Sequence, residues 1–215
     1  MKPGFVTPKE GAMSDGPTVS RRTALKSSLA LLLGTDMLSS WSFADGQTEG
    51  GGHTLVAYLT RSGNTRVIAG YLQRRFEAEM FEIRTAEPYP EDYQAHVDLA
   101  QRQQEAGIRP ELAESVADIA GYETVFLGFP VWGMALPVPV QTFLTTHDLS
   151  GKTIVPFITH GGYGTGSAPD TLAELTPDAR ILEAFVLEMD QERATLNSVS
   201  SWLESVEPNL YAATP

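Results

Sequence analysis

From residue 53 onward, apolar and polar positions fall into two alternating patterns. Leu55-Val56-Ala57-Tyr58-Leu59 is a continuous apolar run, as a strand buried on both faces requires. Val67, Ile68, Tyr71, Leu72 and Phe76 then recur at helical spacing, which predicts a helix over 65–78 with one apolar face. Met80 to Arg84 alternates and predicts a short second strand. Thr124–Phe129, Thr153–Ile158 and Ile181–Leu187 predict three more. Helices fit between them at about 138–146 and 168–175, with a last one at about 191–206. Five strands alternating with helices predict an α/β doubly wound fold, a parallel sheet covered on both faces and joined by right-handed crossovers.

Two stretches break this rhythm. Residues 85–120 carry Tyr89 and Tyr93 around a Pro- and acid-rich segment, followed by a polar helix from about Asp92 to Ala106. Pro156 sits inside the fourth apolar run, where a central strand would lose a ladder hydrogen bond. Either a bulge takes it up or the strand is shorter than the run.

The segment before residue 53 reads as an address. Ser20-Arg21-Arg22-Thr23-Ala24-Leu25-Lys26 precedes a modest apolar run, and Ser42-Phe43-Ala44 supplies the small residues a signal peptidase reads. The run is short and interrupted for a membrane span. It resembles a twin-arginine export signal over 1–44, which predicts an exported protein whose contact with membrane, if the signal stays uncleaved, is through that segment alone. Asp45 to Gly52 is a polar, Gly-rich linker, 53–207 the domain and 208–215 a tail.

Composition narrows the chemistry. The 215 residues include no cysteine, which excludes disulfides, thiolate nucleophiles, iron–sulfur ligation and zinc–thiolate sites. Four histidines without i, i+4 pairing give no metal motif. The net charge of −12 lies wholly beyond residue 51, where 10 basic residues face 22 acidic ones. Such a surface repels nucleic acid and steers basic partners toward itself, and it also serves plain solubility.

Ligands of open α/β sheets bind beyond the carboxyl ends of the strands. After the first strand comes Thr60-Arg61-Ser62-Gly63-Asn64-Thr65, leading into a helix. Hydroxyls, an amide and backbone N–H groups at a helix N-terminus suit a phosphate, and they equally suit an ordinary capped turn. After the third strand comes Pro130-Val131-Trp132-Gly133, whose flat indole could cover a planar ring or cap the core. After the fourth comes Thr159-His160-Gly161-Gly162-Tyr163-Gly164, where glycines allow close backbone approach to a ligand. His160 by itself fits a structural role.

With these three loops in this order, the sequence resembles the flavodoxin family over about residues 54–205. Thr60–Thr65 resembles its phosphate loop, Phe129–Gly133 its first isoalloxazine loop and Thr159–Gly164 its second. The resemblance, to a larger bacterial branch, implies strand order 2-1-3-4-5 and non-covalent FMN. It implies that Thr60, Ser62, Asn64 and Thr65 hold the phosphate and that Trp132 stacks on the ring. Gly161 and Gly162 would meet its polar edge, and Tyr163 would face its other side. A peptide carbonyl near Gly133 would rotate to accept a proton-bearing flavin nitrogen. Arg61 is a departure, a charge in a loop that usually carries none. The implied function is electron transfer to a redox partner protein or a small-molecule acceptor. The alternatives are an NAD(P)H-dependent quinone or FMN reductase and a flavin-free binding module on the same fold.

Overall fold

A computed structural model describes residues 53–188 and 192–210. The signal segment and linker expected over 1–52 lie outside the described residues. The elements run β1 (His53–Tyr58), α1 (Asn64–Phe76), β2 (Glu79–Glu82), α2 (Tyr93–Ala106), β3 (Tyr122–Pro130), α3 (Val138–Thr146), β4 (Thr153–His160), α4 (Ala168–Leu175), β5 (Arg180–Ile181), β6 (Phe185–Glu188) and α5 (Glu192–Leu210). All strand pairs are parallel, in the order β2-β1-β3-β4-β5, with β6 also on β4.

Because side chains alternate along a strand, one set of strand residues faces each way. Leu55, Ala57, Leu127 and Phe129 pack toward Phe143 of α3 and Leu172 of α4. Val56, Tyr58, Phe126 and Phe157 pack toward Ile68 and Leu72 of α1 and Val199 and Leu203 of α5. Both faces are thus covered, which is why β1, β3 and β4 read as unbroken apolar runs.

The expected fifth strand over 181–187 is two pieces, and Pro156 explains the break. β4 itself runs unbroken in register with β3, Leu127 opposite Pro156. Toward the other neighbour, Ile154 pairs with Ile181 and Phe157 with Phe185, so two residues of β4 face three, Leu182 to Glu183 to Ala184. The Ile154 carbonyl accepts from Leu182 N–H at 2.9 Å. Polar groups of alternate residues point the same way, so the position of the missing Pro156 N–H also faces this side. The extra residue therefore lies in the neighbour, opposite the proline, and β4 is as long as its apolar run.

The stretch 85–120 is a closed excursion. Ala113 N–H donates to Arg84 O at 2.8 Å and Ala86 N–H to Glu111 O at 2.9 Å, so the returning chain pairs antiparallel beyond the end of β2. Asp92 caps α2 by accepting from Ala95 N–H, and Gly107, at φ 64°, ends it in the left-handed conformation. His147 then pins the return: its Nε2 accepts from Val116 N–H at 3.0 Å, while Nδ1 lies 2.9 Å from Phe143 O.

Gly128 of β3 lies opposite Phe157, and a Cβ there would come within 2.1 Å of the ring. Gly128→Ala should therefore destabilise the fold by about 3 kcal/mol, the upper end of ordinary overpacking, read as a lowered urea midpoint.

Candidate functional site

The loops after β1, β3 and β4 meet at one edge of the sheet. In the first, Gly63 is the N-cap of α1 at φ 93° and, as a glycine, has no side chain with which to cap the helix. Its N–H instead donates to Thr60 Oγ1 at 3.1 Å, and Asn64 Nδ2 donates to Ser62 Oγ at 3.0 Å. The loop is closed on itself by its own hydroxyls at the positive end of the α1 dipole. Thr65 is buried, its hydroxyl 3.1 Å from that of Thr159, so it ties this loop to the end of β4. Arg66 forms a two-pronged pair with Glu82 at 2.7 and 2.8 Å. Arg61 turns outward: its Nη2 donates to Glu91 O at 3.3 Å and its guanidinium lies over the Tyr93 ring, 5.1 Å from the centroid. The charge that looked out of place fastens the phosphate-loop region to the start of α2.

The second loop is a two-residue reversal. Trp132 and Ala135 exchange N–H···O bonds of 3.2 and 3.0 Å around Gly133 at φ 56° and Met134 at φ 64°, the signature of a type I′ turn. Met134, not a glycine, is held in a costly region by its carbonyl, which accepts from Ser167 N–H at 2.9 Å and from its hydroxyl at 3.3 Å. Gly166 permits this approach, since a Cβ would lie 2.1 Å from Met134 O. In the third loop His160 acts as a hub: Nδ1 accepts from Gly162 N–H at 3.1 Å and Gly164 N–H at 3.3 Å. His160 thus organises the third loop through the Gly162 and Gly164 N–H groups. Tyr163 projects from the loop, 84% exposed.

One wall was missed in the sequence. Tyr93, His96, Val97, Ala100 and Gln104 lie on one side of α2 and line a cleft of about 890 Å³ together with Trp132 and the third loop. His96, 5% exposed, is the only buried residue of that helix. It forms a ring cluster with Tyr89 and Trp132, at centroid distances of 4.7 Å to Tyr89 and 4.5 Å to Trp132. A second cavity of about 730 Å³ lies on the 85–91 side and shares Arg61, His96 and Trp132 with the first. The spacing of 93, 96, 97, 100 and 104 was present in the sequence, but it stood in a helix too polar to show an apolar stripe.

Chemically, the cleft offers the Ser62 hydroxyl from the loop that opens α1 together with the aromatic side chains of Tyr93, Trp132 and Tyr163. Those features fit a phosphate-bearing planar ligand. Among the described residues no cluster of His, Asp or Glu could hold a metal ion.

The family profile described as Flavodoxin matches residues 53–206. A provisionally assigned flavoprotein from Bacteroides eggerthii is 28% identical, covering 72% of this chain and 98% of its own, with a TM-score of 0.60. A second, from Bacteroides uniformis, is 26% identical over 72% and 99% of the two chains, with a TM-score of 0.61. A flavoprotein from Lactobacillus acidophilus, solved in complex with FMN, shares the fold at 21% identity, 68% and 99% coverage and a TM-score of 0.55. No curated protein matches the chain.

Two groups of the ring cluster are shifted from their ordinary titration ranges. Burial pushes the Tyr89 hydroxyl up to about 12, and it donates to Gln103 Oε1. Burial first, and Arg61 second, hold the His96 imidazole below its usual range, against a hydrogen bond to the Pro90 backbone. The unfolded chain takes this proton near pH ~6.5 and the folded one only below it, so the unfolded state binds more protons in that window. This contribution to stability is complete above about pH 6.5 and is lost as pH falls toward the folded value. Urea midpoints measured between about pH 5 and 7 should decline on acidification, and His96→Gln should flatten that decline.

Proposed function

The chain belongs to the flavodoxin family, and on that premise we propose that it binds FMN non-covalently and uses it to carry electrons. The observation that carries this reading is the N-terminus of α1, opened by a glycine N-cap and flanked by the Thr60 and Ser62 hydroxyls. Hydroxyls and backbone N–H groups at a helix N-terminus are the donor set a phosphate monoester needs. Trp132 and Tyr163 supply aromatic surface for the ring, and the Lactobacillus flavoprotein of this fold holds FMN.

Bound FMN supplies one- and two-electron redox chemistry that no side chain of this protein has. The protein's share is binding, orientation and electrostatics. Thr60, Ser62 and the α1 N-terminus hold the phosphate. Thr65, bonded to Thr159, fixes the spacing between that loop and the end of β4. The acidic surface receives a partner with a basic face, and the twin-arginine-like segment sends the loaded protein out of the cytoplasm.

The turn at Gly133 is the moving part. Flipping the peptide between Gly133 and Met134 converts type I′ to type II′, which keeps φ positive at the first position and makes it negative at the second. Met134 would then leave its costly conformation, and a carbonyl would swing through the half-turn. The flipped state needs glycine at 133, where its ψ lies in a region closed to other residues.

A second reading, an NAD(P)H-dependent quinone or FMN reductase, draws support from the cavity of about 730 Å³ beside Trp132, which has room for a small acceptor. Steady NADPH oxidation in the presence of a quinone, without any partner protein, would favour it over the carrier.

Visible spectra after adding FMN to purified protein test the main reading. Flavin bands with quenched indole emission are expected, and protein that stays colourless overturns it. Ser62→Ala should weaken FMN binding about tenfold or more while leaving riboflavin binding unchanged, because the lost hydrogen bond is to the charged phosphate. Gly133→Ala should shift both midpoint potentials, and unchanged potentials would remove the peptide flip from the account.

A further inference from the structure

His96, Tyr89 and Trp132 close into a triad of rings. Trp132 meets His96 edge to face, with centroids 4.5 Å apart and planes at 84°, and meets Tyr89 at 5.2 Å and 65°. His96 Nε2 is buried and has no hydrogen-bond partner, alone in this respect among the described residues. Buried polar atoms are ordinarily paired, so an exception calls for a cause. The neutral ring thus holds Nε2 inside an aromatic package with no polar partner. Protonation makes the ring an imidazolium and sets a positive charge 4.5 Å from the Trp132 ring and 4.7 Å from the Tyr89 ring, centroid to centroid, where aromatic faces attract cations.

We propose that His96 is a positioning residue of the flavin site: through Trp132 it fixes the pitch of the indole presented to the cleft, and its charge state sets the electrostatic potential there. This rests on the FMN reading given above. His96 borders the flavin cleft and the adjoining cavity alike, as do Arg61 and Trp132, so it stands one ring behind the aromatic surface. The proton comes from solvent and stays on the imidazole. It is handed to no ligand.

The charged and titratable neighbours are Arg61 from the first loop, Arg84 beyond β2, Tyr89 and Glu91 from the approach to α2, Asp92, Tyr93 and Glu105 from the helix ends, and His160 and Tyr163 from the third loop. Glu82 borders the second cavity and is held by Arg66. The loop after β3 and all of α3, residues 131–146, bring no titratable side chain to the triad. An imidazolium facing the indole therefore meets no carboxylate from that side. Its field favours electron uptake by a ligand across the indole, so the midpoint potential should climb more steeply on acidification than it would without the histidine.

The test uses the full-length protein with two readouts. Trp132 emission, isolated by subtracting the Trp132→Phe protein, is titrated between about pH 5 and 8 around the imidazole range. Midpoint potentials of FMN-loaded protein are measured over the same span. The expected result is an emission transition and an excess slope of potential against pH in the wild type, both lost in His96→Gln. His96→Phe, which keeps a ring in the package, should lose both pH effects. Identical emission titrations, or identical potential slopes, in wild type and His96→Gln would overturn the proposal. If no FMN binds, the FMN reading falls, and the emission titration still decides whether His96 acts on Trp132.

Discussion

Parallel pairing places the carboxyl ends of neighbouring strands side by side, and the whole site follows from that constraint. With β1 between β2 and β3, and β3 between β1 and β4, the loops after β1, β3 and β4 have to share one edge. Three bonds then turn proximity into a fixed geometry: the Thr65 and Thr159 hydroxyls at 3.1 Å, Val131 N–H to Thr159 O at 2.8 Å, and Ser167 N–H to Met134 O at 2.9 Å. Each joins two loops that belong to different strands. The three loops are therefore held at set separations by the protein's own bonds, so the cleft is pre-formed.

The roof of that cleft comes from a different source. Within the excursion over 85–120, α2 itself has His96 as its single buried residue, while Leu112, Val116 and Ile119 of the return pack against the core. The excursion is held at its base by pairing beyond β2, at its return by His147, and at its tip by Arg61 over Tyr93. A helix anchored at its ends and barely packed along its length is suited to face a ligand, because its inner side chains are not needed elsewhere.

Much of this could be read from residue order. Continuous apolar runs gave away β1, β3 and β4, because burial on both faces leaves no polar alternation to mistake. Hydroxyls and glycines at the strand ends gave away the three loops. What could not be read depended on partners far along the chain. The break in the fifth strand follows from a proline on its neighbour, while Ile181 to Leu187 alone looks continuous. The destination of Arg61 is set by Glu91 and Tyr93, some 30 residues on. The bond of the Thr65 hydroxyl to Thr159 joins residues 94 apart. His96 was hidden for a related reason: a helix that covers a cleft has no apolar stripe, so its inward face becomes visible only when the opposite wall is known.

The two margins of the sheet share a property with a bearing on behaviour at high concentration. On one side stands β2, four residues long; on the other, β5 and β6 offer two and four residues separated by the step opposite Pro156. Neither margin presents a long, straight row of unpaired backbone groups, the template by which β-proteins stick to one another edge to edge. The proline that shapes β4 from within thus also interrupts the border next to it, and crowding many copies together gives a second chain little ladder to extend.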